Sequence, residues 1–241
     1  MDNLVVISLI AVAAVIGAVI FLRKRRLALL RERAQFIQRY SFPPELRNRL
    51  QRNHELSLEA SGRVIEGLRQ YFLACLAAQR SPIAKEVGMP SKAVDAAWHE
   101  FIVLTKAYAE FCQQAFGKYL HHTPKAMMDT PTKDALANTL HQLRQPAIGP
   151  AAYATIGAVP LLFALDRELG FKDGHMYDEP AIQDLEVHRQ MQLAALTSSN
   201  SGSDGGSPSW SGGSDTTGDS GGGGDGGGGG GCGGGGGCGG S

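Results

Sequence analysis

Residues 4–22 read LVVISLIAVAAVIGAVIFL, a run without a charge that stops at Arg23, Lys24, Arg25 and Arg26. As a helix rising ~1.5 Å per residue it reaches about 28 Å, close to the roughly 30 Å hydrocarbon core of a bilayer. A helix satisfies its own backbone hydrogen bonds in hydrocarbon, and Ser8 is the most polar side chain in the run. A cleavable signal peptide would carry its basic residues before the apolar stretch; here only Met1, Asp2 and Asn3 precede it. The flanking charges therefore predict a single-pass membrane protein, N-terminus out and everything after Arg23 cytoplasmic, as in a bacterial inner membrane.

The rest of the chain divides by composition. Residues 1–26 form the anchor with its basic flank, 27–197 a region of roughly 170 residues able to bury one core, and 198–241 a tail. The net charge of zero conceals an asymmetry: Arg23 to Arg52 carries ten basic residues against Glu32 and Glu45, whereas Leu165 to Asp225 carries three against eleven acidic. The basic block lies where anionic lipid would attract it, by about 1 kcal/mol per residue near the surface. With Phe36, Tyr40 and Phe42 as its only aromatics it makes a poor nucleic-acid surface, so the expected partners are the bilayer at residues 4–22, anionic lipid at the flank and a protein, not nucleic acid.

Helical periodicity dominates the middle region. Pro43-Pro44 ahead of ELRNRL predicts a short helix, too polar to be central. Val64, Ile65, Leu68, Phe72, Cys75 and Leu76 recur at spacings of three and four, one face of an amphipathic helix. Ser91 reads as the N-cap of a long aromatic-rich helix through Phe101, Tyr108 and Phe111 toward Phe116, which Gly117 ends. Thr130-Pro131 reads as a cap and first turn before the Leu136, Leu140, Leu143 stripe. LLFALDREL stops at Gly170, a C-terminal cap, and a last helix runs from about Pro180 to Leu196. The expected fold is all-α: one transmembrane helix, a domain of five or six helices, and a disordered tail.

From Gly202 to Gly240, 23 of 39 residues are glycine, too few apolar groups for a core. Such a coil spans on the order of 35 Å end to end. Cys232 and Cys238 near its tip are candidate reactive thiols, two ligands short of a closed tetrahedral zinc site. A reducing cytoplasm argues against disulfides for these and for Cys75 and Cys112.

The densest cluster of unusual residues runs from Asp95 to Pro124. Met89-Pro90-Ser91, Val94-Asp95, Trp98-His99, Thr105, Tyr108, Phe111-Cys112, Phe116-Gly117 and Leu120-His121-His122 with Pro124 share one register. This pattern resembles the glycine-rich domain-containing protein (GRDP-like) family of plants and bacteria. The resemblance spans about Pro43 to Gly170, with the tail matching in style. It implies a helical domain with Trp98, Thr105, Tyr108, Phe111, Cys112, Phe116 and Gly117 as motif core, a role in plants in stress and development, and no catalytic residues.

Physically, Asp95 and His99 stand four apart on a helix, so the carboxylate can orient the imidazole, half of a metal or acid–base arrangement. His99 and Cys112 are about 20 Å apart along a straight helix and cannot share an ion. A site assembles only if the chain folds back after Gly117, bringing His121 or His122, or if His54, His141, His175 or His188 arrives from elsewhere. The candidate ligands are thus Asp95, His99, His121 and His122, with zinc as the candidate metal. The competing reading makes the aromatics core and lets His121 and His122 finish the helix at its negative end.

IAKEVGMPSKAVDAAW superficially resembles a helix–turn–helix, but Lys92 is the lone base in the first turns of its second helix. No phosphate loop, nucleophile elbow or HExxH pattern occurs. The leading expectation is therefore a membrane-anchored interaction or scaffold module rather than an enzyme. A metal-binding enzyme or sensor is the alternative, and a tethered DNA binder a distant third.

Overall fold

The structure is a computed structural model that describes residues 2–79, 86–123, 130–144, 155–156 and 159–198. The glycine-rich tail with Cys232 and Cys238, and Pro124 of the motif, lie outside the described residues.

The described residues form eight helices: α1 (Asp2–Arg39), α2 (Pro44–Asn53), α3 (Leu58–Ala78), α4 (Lys92–Val103), α5 (Thr105–Phe116), α6 (Thr132–Leu143), α7 (Leu161–Leu169) and α8 (Glu179–Ser198). Two two-residue strands, β1 (Thr155–Ile156) and β2 (Val159–Pro160), pair antiparallel ahead of α7. The all-α architecture read from the sequence is the observed one.

Helix α1 is long and apolar enough to cross a membrane, with mean hydropathy 2.1, a criterion that a leading signal sequence also meets. It does not stop at the basic block. The same 38-residue helix continues to Arg39 and buries Ala34 and Ile37 in the core, so the expected boundary at residues 26/27 falls inside one unbroken helix. Its C-terminal carbonyls would otherwise be orphaned. Arg69 of α3 donates to those of Ile37 (2.5 Å) and Gln38 (3.0 Å), and to the Tyr40 carbonyl just beyond (3.0 Å).

Helix α3 is the hub, packed against α1, α2, α4, α6 and α7. Ser57 caps it by accepting from the Ala60 N–H (3.1 Å), and all six residues of its predicted stripe are buried. The stripe understates the burial, because Gln70, Leu73 and Ala74 on other faces are buried too. Gly67 permits the closest approach: a Cβ there would stand 2.8 Å from Val94 of α4 and run into Leu165 of α7. Phe72 lies at the centre of an aromatic cluster, with the rings of Trp98, Phe101, Phe111 and Phe116 at centroid distances of 4.9 to 6.3 Å. Helix α2, expected to be peripheral, sends Leu46 and Leu50 fully into the core. Polarity on its outer face says nothing about those two positions.

The single long helix expected from Ser91 to Phe116 is two. Leu104, at φ −79° and ψ 60°, ends α4 and opens α5. The bend lets Phe101 and Phe111, on different helices, meet at 5.4 Å between centroids. Thr130 does not cap α6 as expected. Pro131 takes the N-cap position without a side-chain bond, and the Thr130 N–H donates to Glu86 Oε2 (3.0 Å).

Candidate metal centre

Of the motif residues, Trp98, Tyr108, Phe111, Cys112 and Phe116 are core, whereas Thr105 and Gly117 are exposed at the two ends of α5. Gly117 adopts φ +72°, a left-handed C-cap that glycine reaches without a Cβ clash. The chain there reverses instead of extending the helix. Tyr108 locks the reversal: its buried hydroxyl accepts from Trp98 Nε1 (2.9 Å) and donates to the Leu120 carbonyl (2.5 Å). Arg33 of α1 donates to the Phe116 carbonyl at the same corner (2.9 Å).

The fold-back carries His122 onto α4. Its Nε2 lies 2.8 Å from Asp95 Oδ1, and its ring packs on Trp98 at 4.5 Å and on His99 at 4.3 Å. His99 Nδ1 is 2.8 Å from the Asp95 carbonyl oxygen one turn back and 3.4 Å from Asp95 Oδ2. The carbonyl can only accept, so Nδ1 carries the proton in this arrangement and Nε2 is left as a lone-pair donor. Asp95, His99 and His122 each offer a ligand atom, all within 4.8 Å of one another. A tetrahedron with bonds of about 2.0 to 2.1 Å has edges of about 3.4 Å, so a zinc ion requires the His122–Asp95 contact to open by about half an ångström.

The fourth candidate ligand does not join them. His121 is exposed and packs on Tyr119 at 4.9 Å; it borders the same cavity as His122 but is not among the ligand atoms that come together. Of the two adjacent histidines, His122 is the one that reaches Asp95. The alternative that both finish a helix is not realised, since α5 ends at Phe116.

The helix bearing Asp95 and His99 is itself held by a carboxylate distant in sequence. Asp166 of α7, fully buried, accepts from Ser91 Oγ (2.6 Å), the Lys92 N–H (2.8 Å) and the Ala93 N–H (3.1 Å) at the start of α4. Ser91 caps as expected, accepting from the Val94 N–H (3.2 Å). The same carboxylate accepts from the His175 N–H (2.8 Å), and the His175 ring places Nδ1 3.1 Å from the Pro90 carbonyl. One buried charge thus sets both α4 and the segment facing it. Nothing local in the sequence points to Asp166: its partners on α4 lie more than seventy residues away.

These pieces enclose a cavity of about 710 Å³, within the size range of small-molecule sites. Asp95, His99, His121, His122 and His175 line it, together with Tyr71, Cys75 and Leu136. Burial pushes the Cys75 thiol up to about 12, which leaves little thiolate to act as a nucleophile near neutral pH. Burial likewise raises Cys112. Of the other histidines, His54 sits against Glu100 (3.3 Å) and His188 against Asp134 (2.5 Å), while burial first and Arg189 second hold His141 below its usual value.

No curated protein and no solved structure matches this chain. A family model described as UCP032817-like matches residues 32–196. The match begins where α1 enters the core, next to Arg33 and Ala34, and takes in every residue of the cluster. With more than half of its length matched, the chain belongs to the UCP032817-like family.

Proposed function

We propose that this protein is a membrane-held, cytoplasm-facing metal-binding domain in which Asp95, His99 and His122 hold a divalent ion, zinc in the first instance. One observation carries the reading: two imidazoles and a carboxylate meet with their ligand atoms within 4.8 Å on the wall of a cavity large enough for a small molecule. Three protein ligands leave a coordination position open for water or a bound molecule, the arrangement of reactive rather than purely structural zinc. The Asp95 carbonyl orienting His99 and the Trp98 ring against His122 are the supports such ligands need. This favours the enzyme or sensor reading over a scaffold. The DNA-binding reading fares worst, because the first turn of α4 is spent on Asp166 and Ala93 and Val94 are fully buried.

The apolar half of α1 with its basic flank supports a single span with the domain on the cytoplasmic side, in contact with anionic lipid. The glycine-rich character of the tail and the Asp95–Pro124 pattern keep the GRDP-like kinship as part of the proposal.

The test is elemental analysis of the full-length chain purified without chelators. About one zinc per chain is expected, lost in Asp95→Ala. Metal-free protein that takes up no zinc on titration, and whose melting temperature zinc does not move, overturns the reading.

A further inference from the structure

The lining of the cavity mixes two chemistries, drawn from different parts of the chain. One part is the start of α4, the return after Gly117 and His175. Besides Asp95, His99 and His122 it carries Lys92 and Lys118, both exposed and neither in an ion pair among the described residues. The rest of the lining comes from the last turns of α3, the segment before α4 and the start of α6, where Tyr71, Val87, Met89, Ala135 and Leu136 supply apolar surface. The two acidic groups on the lining are both engaged. Asp95 is shared by two histidines, and Glu86 accepts the Thr130 N–H.

His175 adds a directed group to this lining. The Pro90 carbonyl accepts from Nδ1, so in the neutral ring Nε2 presents a lone pair, which accepts from a hydroxyl and does not bond a dianionic phosphate. Its backbone is fixed by Asp166, the carboxylate that also fixes α4, so the imidazole and the ligand-bearing helix share one anchor. Such a group is pre-set before any ligand enters, which removes ordering cost from binding.

We infer that the cavity takes a small amphipathic phosphomonoester, its phosphate toward the Asp95–His99–His122 centre, Lys92 and Lys118, and its aryl or alkyl body against the Met89–Leu136 surface. A dianionic head matches two unpaired ammonium groups beside a divalent ion better than a carboxylate does. The apolar surface calls for a body that an inorganic ion lacks. The inference rests on the metal reading for the principal counter-charge and on the cavity lining for the rest.

The full chain in lipid nanodiscs, assayed for zinc by elemental analysis, is titrated calorimetrically with phenyl phosphate, inorganic phosphate, benzoate and benzyl alcohol. Phenyl phosphate is expected to bind at least about tenfold tighter than each of the other three. Lys92→Ala with Lys118→Ala should weaken both phosphates several-fold at unchanged zinc content. Met89→Ala should weaken phenyl phosphate while leaving inorganic phosphate alone. Zinc-loaded protein that binds phenyl phosphate no better than inorganic phosphate, or that prefers benzoate, overturns the inference and leaves the metal centre standing. A zinc-free chain that binds no phenyl phosphate overturns both. A zinc-free chain that binds it in a lysine-dependent way removes the metal and sustains the anion site.

Discussion

Two aspartates touch helix α4, and they are used in opposite ways. Asp166 is fully buried and accepts four hydrogen bonds, from three backbone N–H groups and a buried hydroxyl. Asp95, on α4 itself, keeps 37% of its side-chain surface exposed and faces two imidazoles across a cavity. A carboxylate whose acceptor capacity is filled by backbone and hydroxyl donors is committed to the fold. One that shares its oxygens with groups able to exchange a proton for a metal keeps its chemistry available. The contrast implies that stability and metal binding separate between the two residues.

The sharpest way to break the contrast is Asp166→Ala. It strands three N–H groups and the Ser91 hydroxyl, and removal of one side of a buried charged network costs about 3 to 5 kcal/mol. Urea unfolding should show that loss, with Asp166→Asn milder because an amide oxygen still accepts. A loss below about 1 kcal/mol would mean the carboxylate is not the clamp described. Asp95→Ala should do the reverse: zinc affinity falls at least about 100-fold, while the metal-free protein changes by no more than about 1 kcal/mol, as befits a half-buried pair open to a cavity. Competition with a chelating dye measures the first and thermal unfolding the second.

The neighbouring histidines sharpen the comparison within the site. His122→Ala should lower zinc affinity nearly as far as Asp95→Ala, and His121→Ala should leave it within a factor of about two, well under the effect of losing a ligand. Equal effects would mean that the return after Gly117 is not in the register described.

Part of the site can be read from the sequence alone. Asp95 and His99 declare themselves through a spacing of four on a helix with a visible N-cap, Ser91. His122 can be named there but not chosen over His121, because the choice depends on Tyr108 holding Leu120, a contact between a helix and the chain beyond its end. Asp166 and His175 are opaque as partners, since a buried carboxylate serving a distant helix start leaves no local pattern. The helices are legible where caps or periodicity mark them, as at Ser91, Gly117 and Gly170. The bend at Leu104 is not: it has neither glycine nor proline, and the contact of Phe101 with Phe111 that accompanies it joins residues of two helices.

Glu100, also on α4, supplies the smallest test and lies between the two aspartates in character. Burial pushes its carboxyl up, but hydrogen bonds from Asn53 (2.8 Å) and Arg49 (2.6 Å) outweigh that and leave it below its ordinary value of 4.5. A carboxyl lowered in the folded state adds stability above its unfolded value and surrenders it as the pH falls toward the folded one. Stability should therefore decline on acidification below about 4.5, and Glu100→Gln should flatten that part of the curve. An unchanged acid limb in the variant would assign the decline to other carboxylates.

The unbroken course of α1 has a geometric consequence. Thirty-eight helical residues form a rod of about 57 Å. Its far end is gripped by Arg69, and its flank is tied through Arg33 to the corner where the chain turns toward His122. A flexible tether would let the domain tumble about its attachment point. A rod clamped in this way hands the domain a bearing, so that any surface taking up the apolar half of α1 also decides which way the mouth of the cavity points.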